Sequence, residues 1–361
     1  MPTRQKHLLH VFPTFAVGGS QMRFAQLARL HGERYRHTVI ALDGKTDMAE
    51  RLSGLPVTCE ALQFDKRKPL QTWGRFRAAL HTIRPDVLFT YNWGAIEWAL
   101  INRLERVAQH IHIEDGFGPE EAVKQLKRRV WARRLALSGR NTIVVLPSRN
   151  LERIALGVWS LSRKRVCFIP NGIDCARFGA PARRSPGGPT VIGTVASLRR
   201  EKNLARLIQA FAALAVTRET GGFELLIVGD GAERASLEQR ARELGLGAQV
   251  RFAGQSDRPE DWLSRMDIFA LSSDTEQMPL SVLEAMAAAL PLVATAVGDV
   301  AQMVSPENRD YVVPADGFAA ALARLADESA AWRTIGLANQ NTARENFDEN
   351  VMAARYAALI G

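Results

Sequence analysis

The strongest constraint on the fold is an alternation of strand-like and helix-like segments that runs through the chain twice. Apolar, β-branched runs bounded by turn residues are separated by helical segments, and parallel strands require crossover connections of this kind. The chain has 361 residues, enough for two domains of ordinary size. An α/β fold with two Rossmann-like, doubly wound domains is therefore predicted.

The two series are separated by a Pro/Gly-rich stretch at residues 179–189. The predicted domains are 1–178 and 179–346, followed by a last helical segment within 347–361. The strands predicted in the first series are 7–12, 37–42, 56–62, 86–91 and 111–114, followed by strand-and-turn units at 141–148 and 165–174. The strands predicted in the second series are 190–195, 223–228, 249–253, 267–271, 291–294 and 310–313.

The charge is distributed unevenly between the two halves. Residues 1–175 hold 28 Lys and Arg against 15 Asp and Glu, whereas residues 176–361 hold 19 against 23. A basic half is suited to a phosphorylated acceptor or an anionic membrane surface, and no aromatic pattern for nucleic-acid stacking accompanies it. The three cysteines have no metal-ligand spacing, and no segment is long and apolar enough for a secretion signal or a membrane span. A cytoplasmic location, in part at the inner face of the membrane, is expected.

One segment of the first half is both basic and amphipathic. Residues 119–140 carry a dense run of Lys and Arg beside Leu126, Val130, Trp131 and Leu135. Such a helix either packs on the sheet with a solvated basic face or docks on anionic lipid, and the two roles are compatible.

Two glutamates stand eight positions apart in the stretch 273–292. Glu276 lies in a loop, and Glu284 lies in the apolar helix that Pro279 is predicted to open. The free N–H groups of that helix start form a site for an anion such as a diphosphate. Carboxylates on both sides of such a site match the hydroxyls of a nucleotide-sugar. Alternatively, Glu276 complements the helix dipole, and Glu284 is either a solvated residue on the helix face or a core carboxylate bonded to backbone donors.

The spacing of Glu276 and Glu284, followed by AMA and a PLVAT strand, resembles the donor-site signature of family 4 retaining glycosyltransferases. The resemblance covers most of residues 160–305, and the first half matches more loosely. It continues through four further segments, IPNGID at 169–174, LRREKN at 198–203, LLIVGDGAER at 225–234 and VRFAGQ at 250–255. It implies a GT-B fold, in which two Rossmann-like domains face across a cleft and the last helix packs back on the first domain.

The resemblance also implies roles for individual residues. Glu276 would bind the hexose hydroxyls and Glu284 the ribose, while Lys202 would stabilise the leaving diphosphate. The family has Arg where this chain has Ser197, and Arg199 is proposed to compensate. The further donor-binding residues implied are Gly18, Gly19, Gly229, Asp230, Arg251, Phe252, Gln277, Met278, Pro279 and Leu280.

Other residues leave two interpretations open. Asp115 lies where relatives have His, and it would either orient an acceptor hydroxyl or cap a loop. Gly18 and Gly19 either let the backbone approach the donor phosphate or form a turn. Lys202 alone would fit a solvated loop, whereas His110 and His112 are interpreted as core residues. No D-x-D occurs, so transfer without a metal ion or other cofactor is predicted.

The predicted function is a retaining transfer of a sugar from an NDP-sugar, with UDP favoured, to a saccharide or glycolipid hydroxyl in envelope polysaccharide synthesis. In the mechanism implied by the family, the acceptor attacks the face from which the diphosphate leaves. Alternatives are a non-catalytic nucleotide-sugar sensor or inactive partner subunit, suggested by Ser197, Gln277 and Asp115, and an NDP-sugar epimerase. A phosphorylase is disfavoured by length, and a nicotinamide-dependent oxidoreductase by the lack of G-x-G-x-x-G after the first strand.

Overall fold

The computed structural model describes residues 4–62, 69–117, 121, 125–179, 188–216 and 222–361. The described chain separates into two compact units. The first comprises residues up to Asn171 together with Met352–Gly361, and the second comprises Gly172–Val351. Each unit has one sheet with helices on both faces.

The strands of the first unit are β1 (Lys6–Phe12), β2 (Tyr35–Ala41), β3 (Val57–Ala61), β4 (Val87–Tyr91), β5 (Gln109–Ile113), β6 (Thr142–Leu146) and β7 (Val166–Phe168). Its helices are α1 (Gly19–His31), α2 (Pro69–Ile83), α3 (Ile96–Glu105), α4 (Lys127–Leu137) and α5 (Arg149–Gly157). The sheet order is β3-β2-β1-β4-β5-β6-β7, and all strand pairs are parallel. Strands β2 and β3 are added on one side of β1, and β4 to β7 are added on the other side. The direction in which the sheet grows therefore reverses between β1 and β4.

The strands of the second unit are β8 (Thr190–Val195), β9 (Phe223–Val228), β10 (Val250–Gly254), β11 (Ile268–Leu271), β12 (Leu292–Thr295) and β13 (Val312–Val313). Its helices are α6 (Cys175–Phe178), α7 (Leu204–Val216), α8 (Arg234–Glu243), α9 (Pro259–Leu263), α10 (Leu280–Ala287), α11 (Val300–Met303), α12 (Phe318–Asp327) and α13 (Trp332–Asn346). The order is β10-β9-β8-β11-β12-β13, again with every strand pair parallel. Growth reverses here between β8 and β11.

Alternating side chains of the central strands build two cores in each unit. In β9, Leu225 and Ile227 enter one cluster, while Leu226 and Val228 enter the cluster on the opposite face. Strand β1 divides its apolar residues between two clusters in the same way. Both faces are covered by helices, which is why these strands read as nearly continuous apolar runs rather than as alternating ones.

The boundary between the units differs from the predicted one. Strand β7 ends at Phe168, and Ile173 already forms a parallel bridge with Asp348 and donates its N–H to the Phe347 carbonyl at 2.9 Å. The segment from residue 172 therefore packs with the second unit, earlier than the division at 178/179. Of the Pro/Gly-rich stretch, residues 180–187 lie outside the described residues.

The last helix, α14, spans Glu349–Ile360. Its buried residues Met352, Tyr356 and Ile360 join the core cluster of the first unit that includes Leu8 and Phe12. The chain thus returns to the core of its first unit after completing the second, as the resemblance implied for this helix.

Within the predicted helix 119–140, the described helical part is α4. Residues 118–120 and 122–124 lie outside the described residues. Lys127, Arg128 and Arg134 are exposed, and so is the Trp131 side chain, at 66%. The basic face is solvated except for Arg133, which is fully buried, and Arg129, whose side chain is 16% exposed.

Candidate functional site

Two loops meet at the carboxyl edge of the second sheet, between the strands where sheet growth reverses. The loop after β8 runs to Asn203, and the loop after β11 runs from Ser272 to Pro279. Asn203 and Arg206 both contact the Asp274 carboxylate, with Arg206 Nη2 at 2.7 Å, and the Asp274 N–H donates to the Glu201 carbonyl at 2.8 Å. The crevice beyond such a reversal is where ligands bind in open α/β sheets.

These contacts bring Lys202 and Glu276 together. Lys202 Nζ lies 2.5 Å from Glu276 Oε1, and the Ser273 hydroxyl donates to the same oxygen at 2.8 Å. The two charged side chains are 22% and 11% exposed. The pair is therefore held in a fixed position while both partners remain accessible to a ligand.

A third loop, after β12, supports the Glu276 loop through its backbone. Thr295 Oγ1 donates to the Ser273 carbonyl at 2.6 Å, and the Asp299 N–H donates to the Gln277 carbonyl at 3.0 Å. Gly298 adopts φ +54°, and a Cβ there would lie 2.5 Å from the carbonyl oxygens of both Glu276 and Gln277. Only glycine allows this approach. Sequence reasoning missed Gly298, although the glycine following the PLVAT strand was visible.

Replacing Gly298 with alanine is expected to displace the Glu276 loop. The positive φ and the short contacts together should cost about 1–3 kcal/mol of unfolding free energy. Because the Glu276 loop is part of the predicted nucleotide-sugar site, the displacement should also weaken nucleotide binding. Gly247→Ala is a matched control, because a Cβ there meets no atom within 4 Å. Urea denaturation and nucleotide titration measure both effects. Equal behaviour of the two variants would contradict the supporting role of Gly298.

Glu284 is the fifth residue of α10, whose other inward residues are apolar and buried. Pro279 occupies the N-cap position, one residue before the helix, rather than the first turn itself. Burial raises the pKa of Glu284 to about 7; Arg177 opposes this rise and Glu260 adds to it. The Glu284 carboxyl group has no hydrogen-bond partner within the described ranges, and the residue is partly exposed. A carboxyl group with a raised pKa and no hydrogen bond to the protein is a candidate for ligand binding.

Arg177 is a residue of this site that sequence reasoning missed. Its Nη2 lies 2.7 Å from Glu260 Oε2 and donates to the Asp257 carbonyl at 3.1 Å. The hydrogen bond to Glu260, against the opposing effect of burial, raises the pKa of Arg177, and the charge of Glu284 contributes to the rise. Arg177 follows the IPNGID segment in sequence, but nothing in the pattern indicated that it approaches α10.

The turn after β9 lies against the loop after β8. The Leu198 N–H donates to the Asp230 carbonyl at 2.9 Å, and a Cβ on Gly229 would lie 1.8 Å from the Ala196 carbonyl oxygen. Gly229 has φ +139°, so glycine is required by both conformation and space. The Asp230 carboxylate accepts from the Gly231 N–H at 2.7 Å and is half exposed. Ser197 lies in the loop between these contacts.

Several predicted donor residues do not join the Lys202–Glu276 pair. Arg199 is 67% exposed and its nearest ion-pair partner in the described chain is Glu201, at 4.0 Å. Arg251 stacks over Trp262, with 5.3 Å from Cζ to the ring centroid, and Phe252 packs against a core cluster. Met278 is buried in the core, while Gln277 and Leu280 are partly exposed beside Pro279.

The equivalent edge of the first sheet carries Gly18, Gly19 and Asp115. Gly18 is the N-cap of α1 and Gly19 is its first residue, with open space where a Gly19 Cβ would lie. Asp115 follows β5, and its N–H donates to Asn92 Oδ1 at 2.8 Å. Asn92 follows β4, so this edge also contains the point where sheet growth reverses.

Asp115 forms an ion pair with Arg23 of α1. Arg23 Nη1 lies 2.7 Å from Asp115 Oδ1 and Nη2 lies 2.9 Å from Oδ2, while Nη1 also contacts Asn171 Oδ1 at 2.7 Å. Burial alone would lower the pKa of Arg23, but the ion pair outweighs burial and raises it. Asp115 is thus more than a loop cap, and its side chain remains 23% exposed. Arg23 was not among the predicted site residues.

His110 and His112 lie in the core, as interpreted from the sequence. Both are buried and both contact Thr90 Oγ1 at 2.8 Å. Burial, assisted by His112, lowers the pKa of His110 to about 3, so its ring is neutral. Within the described residues, no cluster of three or more His, Cys, Asp or Glu side chains could hold a metal ion. No helix in that part of the chain combines the length and apolar character of a membrane span.

Comparison with known proteins yields two family models that together cover most of the chain. Residues 17–177 match the model described as Glycosyltransferase Family 4, and residues 189–328 match the model described as Glycosyl transferases group 1. Glycogen synthase of Mycobacterium tuberculosis is 28% identical over 285 residues, covering 76% of this chain and 68% of that protein. The lipopolysaccharide core biosynthesis glycosyltransferase LpsD of Rhizobium meliloti is 29% identical, covering 57% of this chain and 61% of LpsD.

Solved structures share the fold over nearly the whole chain. The Anabaena protein Alr3699/HepE in complex with UDP aligns with a TM-score of 0.82 at 18% identity, covering 98% of this chain and 99% of that one. A glycosyltransferase from Rickettsia africae aligns with the same TM-score at 16% identity, covering 99% and 98%. The fold is GT-B, as predicted, and the chain belongs to the family 4 glycosyltransferases.

Proposed function

We propose that this protein transfers a sugar from a uridine diphosphate sugar to a hydroxyl of a saccharide or glycolipid, with retention of configuration and without a metal ion. The observation that carries the proposal is the Lys202–Glu276 pair at the reversal point of the second sheet, one turn before the start of α10. A cation and a helix N-terminus suit a diphosphate, and a carboxylate suits sugar hydroxyls.

Lys202 has the geometry for its proposed role. An ammonium group has three N–H donors, so Lys202 keeps Glu276 as one partner while it donates to a phosphate oxygen. Negative charge grows on the leaving diphosphate as its bond to the anomeric carbon breaks. A cation already held in place stabilises that charge without reorganisation. Arg199, which is exposed on the same loop, is proposed to contribute after reorienting toward the phosphate.

The proposed reaction forms one bond and breaks one. The acceptor oxygen bonds to the anomeric carbon on the face from which the diphosphate departs, and the acceptor proton passes to a leaving phosphate oxygen. Cationic residues and helix N–H groups carry the charge in place of Mg²⁺, consistent with the absence of D-x-D from the sequence. Asp115, held by Arg23, is proposed to position the acceptor hydroxyl.

Two comparisons support the proposal of a UDP-sugar donor and of a role in envelope polysaccharide or glycolipid assembly. Solved structures of Alr3699/HepE contain UDP or UDP-glucose, the latter with a TM-score of 0.81. LpsD is named for lipopolysaccharide core biosynthesis. By similarity, we propose an acceptor in envelope polysaccharide or glycolipid assembly, reached at the inner face of the membrane through the basic first unit.

Thermal stabilisation and nucleotide release by UDP-, GDP- and ADP-sugars test the proposal. The expected result is stabilisation and release with a UDP-sugar, unaffected by EDTA. Stabilisation without release, in the presence of a panel of acceptors, would instead favour a non-catalytic binding protein. No response to any donor would overturn the proposal.

The pH dependence of UDP binding tests Glu284 separately. Ribose hydroxyls donate to an ionised carboxylate, so binding favours the charged form of a group whose pKa is about 7. UDP affinity is expected to rise as the pH increases from 6 to 8 in the wild type, by up to about tenfold per unit below the pKa. Glu284→Gln should remove this rise and leave only the titration of UDP itself. Parallel pH profiles for both proteins would exclude ribose binding by Glu284.

A further inference from the structure

A pocket of about 480 Å³ lies in the first unit, away from the residues discussed so far. Its lining residues come from the end of α3, the end of α4 and the segments that lead into β5, β6 and β7. It therefore lies at the amino edge of the sheet, whereas Gly18, Asn92 and Asp115 lie at the carboxyl edge. A ligand there would not occupy the donor or acceptor positions proposed above.

The charge of the pocket is entirely positive. Four of its ten lining residues are arginines, and none is acidic; the arginines are Arg103, Arg106, Arg140 and Arg165. None of the four forms an ion pair with a carboxylate in the described chain. The remaining polar lining residues, Asn102, Ser138, Asn141 and Thr142, are neutral.

Two of the arginines have structural partners. Arg103 donates to the Leu135 carbonyl and to Ser138 Oγ, and Arg165 donates to the Gly139 carbonyl. These acceptors lie at the end of α4, where a helix carries about half a negative charge. The end of α3 also lies at the pocket, and the two helix ends together offset about one of the four positive charges. The pocket therefore keeps a large excess of positive charge. Arg106 and Arg140 are exposed and have no side-chain hydrogen bond within the described residues.

We propose that this pocket binds a phosphate group, as a phosphomonoester or diphosphate. Guanidinium groups match phosphate oxygens with paired N–H donors, and four arginines line this pocket without an acidic lining residue. The volume is within the range of small-ligand pockets. The group could be carried by a soluble phosphorylated molecule or by a lipid headgroup. The exposed Leu104, between Arg103 and Arg106 in sequence, is compatible with a lipid surface.

Calorimetric titration of the full chain with inorganic pyrophosphate tests the site. The proposed donor site also takes a diphosphate, so each titration is repeated with saturating UDP. Pyrophosphate binding that persists with UDP should weaken about tenfold or more in the double variant Arg106→Gln/Arg140→Gln. It should also weaken with added salt, since the attraction is electrostatic. Both replaced side chains are exposed and unpaired in the described chain, so the variant should fold normally.

The matched control is Arg29→Gln/Arg75→Gln, which removes the same charge from two exposed arginines elsewhere in the first unit. If it weakens binding equally, or if the pocket variant binds as the wild type does, the proposal is overturned. The proposal is also overturned if neither pyrophosphate nor lipid vesicles bind to the protein in the presence of saturating UDP. Sedimentation with vesicles of phosphatidic acid in phosphatidylcholine distinguishes the sources: vesicle binding that requires Arg106 and Arg140 identifies a lipid headgroup, and pyrophosphate binding alone identifies a soluble ligand.

Discussion

Lys202→Met is expected to lower kcat for sugar transfer by about 100- to 1,000-fold, the usual effect of removing one preorganised group that stabilises developing charge. Methionine keeps the length and apolar stem of lysine and removes only the charge and its N–H donors. Donor KM should change much less, because the charge on the leaving diphosphate is greatest in the transition state. Steady-state kinetics with the best donor from the UDP-, GDP- and ADP-sugar panel measures both constants.

The stability of this variant should change little, because the Lys202–Glu276 pair is partly exposed and such pairs contribute about 1 kcal/mol or less. Lys164→Met is the matched control, since Lys164 is exposed in the first unit and has no partner in the described chain. Arg199→Gln is expected to have a smaller effect than Lys202→Met, because Arg199 is not fixed to Glu276. Retention of most of the activity by Lys202→Met would exclude its proposed role.

Arg133→Met is expected to lower the unfolding free energy of the first unit by about 3–5 kcal/mol, the usual cost of removing one partner of a buried ion pair. Arg133 Nε lies 3.2 Å from Glu114 Oε2, and Nη2 lies 3.1 Å from Glu121 Oε2. Glu114 and Arg133 have no exposed side-chain surface, and Glu121 has almost none. The substitution leaves Glu114 without a cation, while Arg129 still contacts Glu121.

Aromatic rings complete the surroundings of Arg133. Its Cζ lies 5.0 Å from the Trp93 ring centroid, 5.3 Å from Phe117 and 5.2 Å from Trp159. Cation–π attraction adds to the cost of losing the guanidinium. Urea denaturation followed by tryptophan fluorescence measures the effect, because two of these rings report on this site. Arg134→Met, on the exposed side of the same helix, should leave stability nearly unchanged.

The cost of Arg133→Met should depend on pH. Burial pushes the pKa of Glu121 upward, but hydrogen bonds from Arg133 and Arg129 outweigh burial and lower the pKa below 4.5. Stability from a carboxylate with a depressed pKa is present above the unfolded value and is lost as the pH falls through the folded value. The difference in unfolding free energy between the wild type and Arg133→Met should therefore be greatest at pH 7 and decline below about pH 4.5. A difference that does not change with pH would contradict the role of Glu121.

Much of the fold could be predicted because strands buried on both faces of a parallel sheet appear in the sequence as short apolar runs bounded by turn residues. Strand β9 was predicted at 223–228 and α10 at 280–288, close to their observed bounds. The segment 165–174 was predicted as a strand followed by a turn, and β7 occupies its first part, Val166–Phe168. The residue at which the strand ends could not be predicted, because it depends on pairing with the end of β6, where Leu146 lies beside Phe168.

Residues of the candidate site could be predicted where both members of an interacting pair lie in segments that resemble the family signature. Lys202 and Glu276 were singled out, and the structure joins them. Arg177 and Arg23 were missed because each interacts with residues far away in sequence, Arg177 with the Glu260 carboxylate and Arg23 with Asp115, and no local pattern encodes such pairs. Gly298 was missed because its importance depends on the approach of another loop.

The order of synthesis has a consequence for the first unit. Met352, Tyr356 and Ile360 belong to its core, yet they are synthesised after the whole of the second unit, Gly172–Val351. A nascent chain that has only reached Asn171 exposes the apolar surface that these side chains later cover. The second unit can therefore fold on the ribosome before the first is complete, and bound chaperones would protect the waiting surface. A stalled or prematurely terminated chain should be degraded rather than accumulate as a stable half.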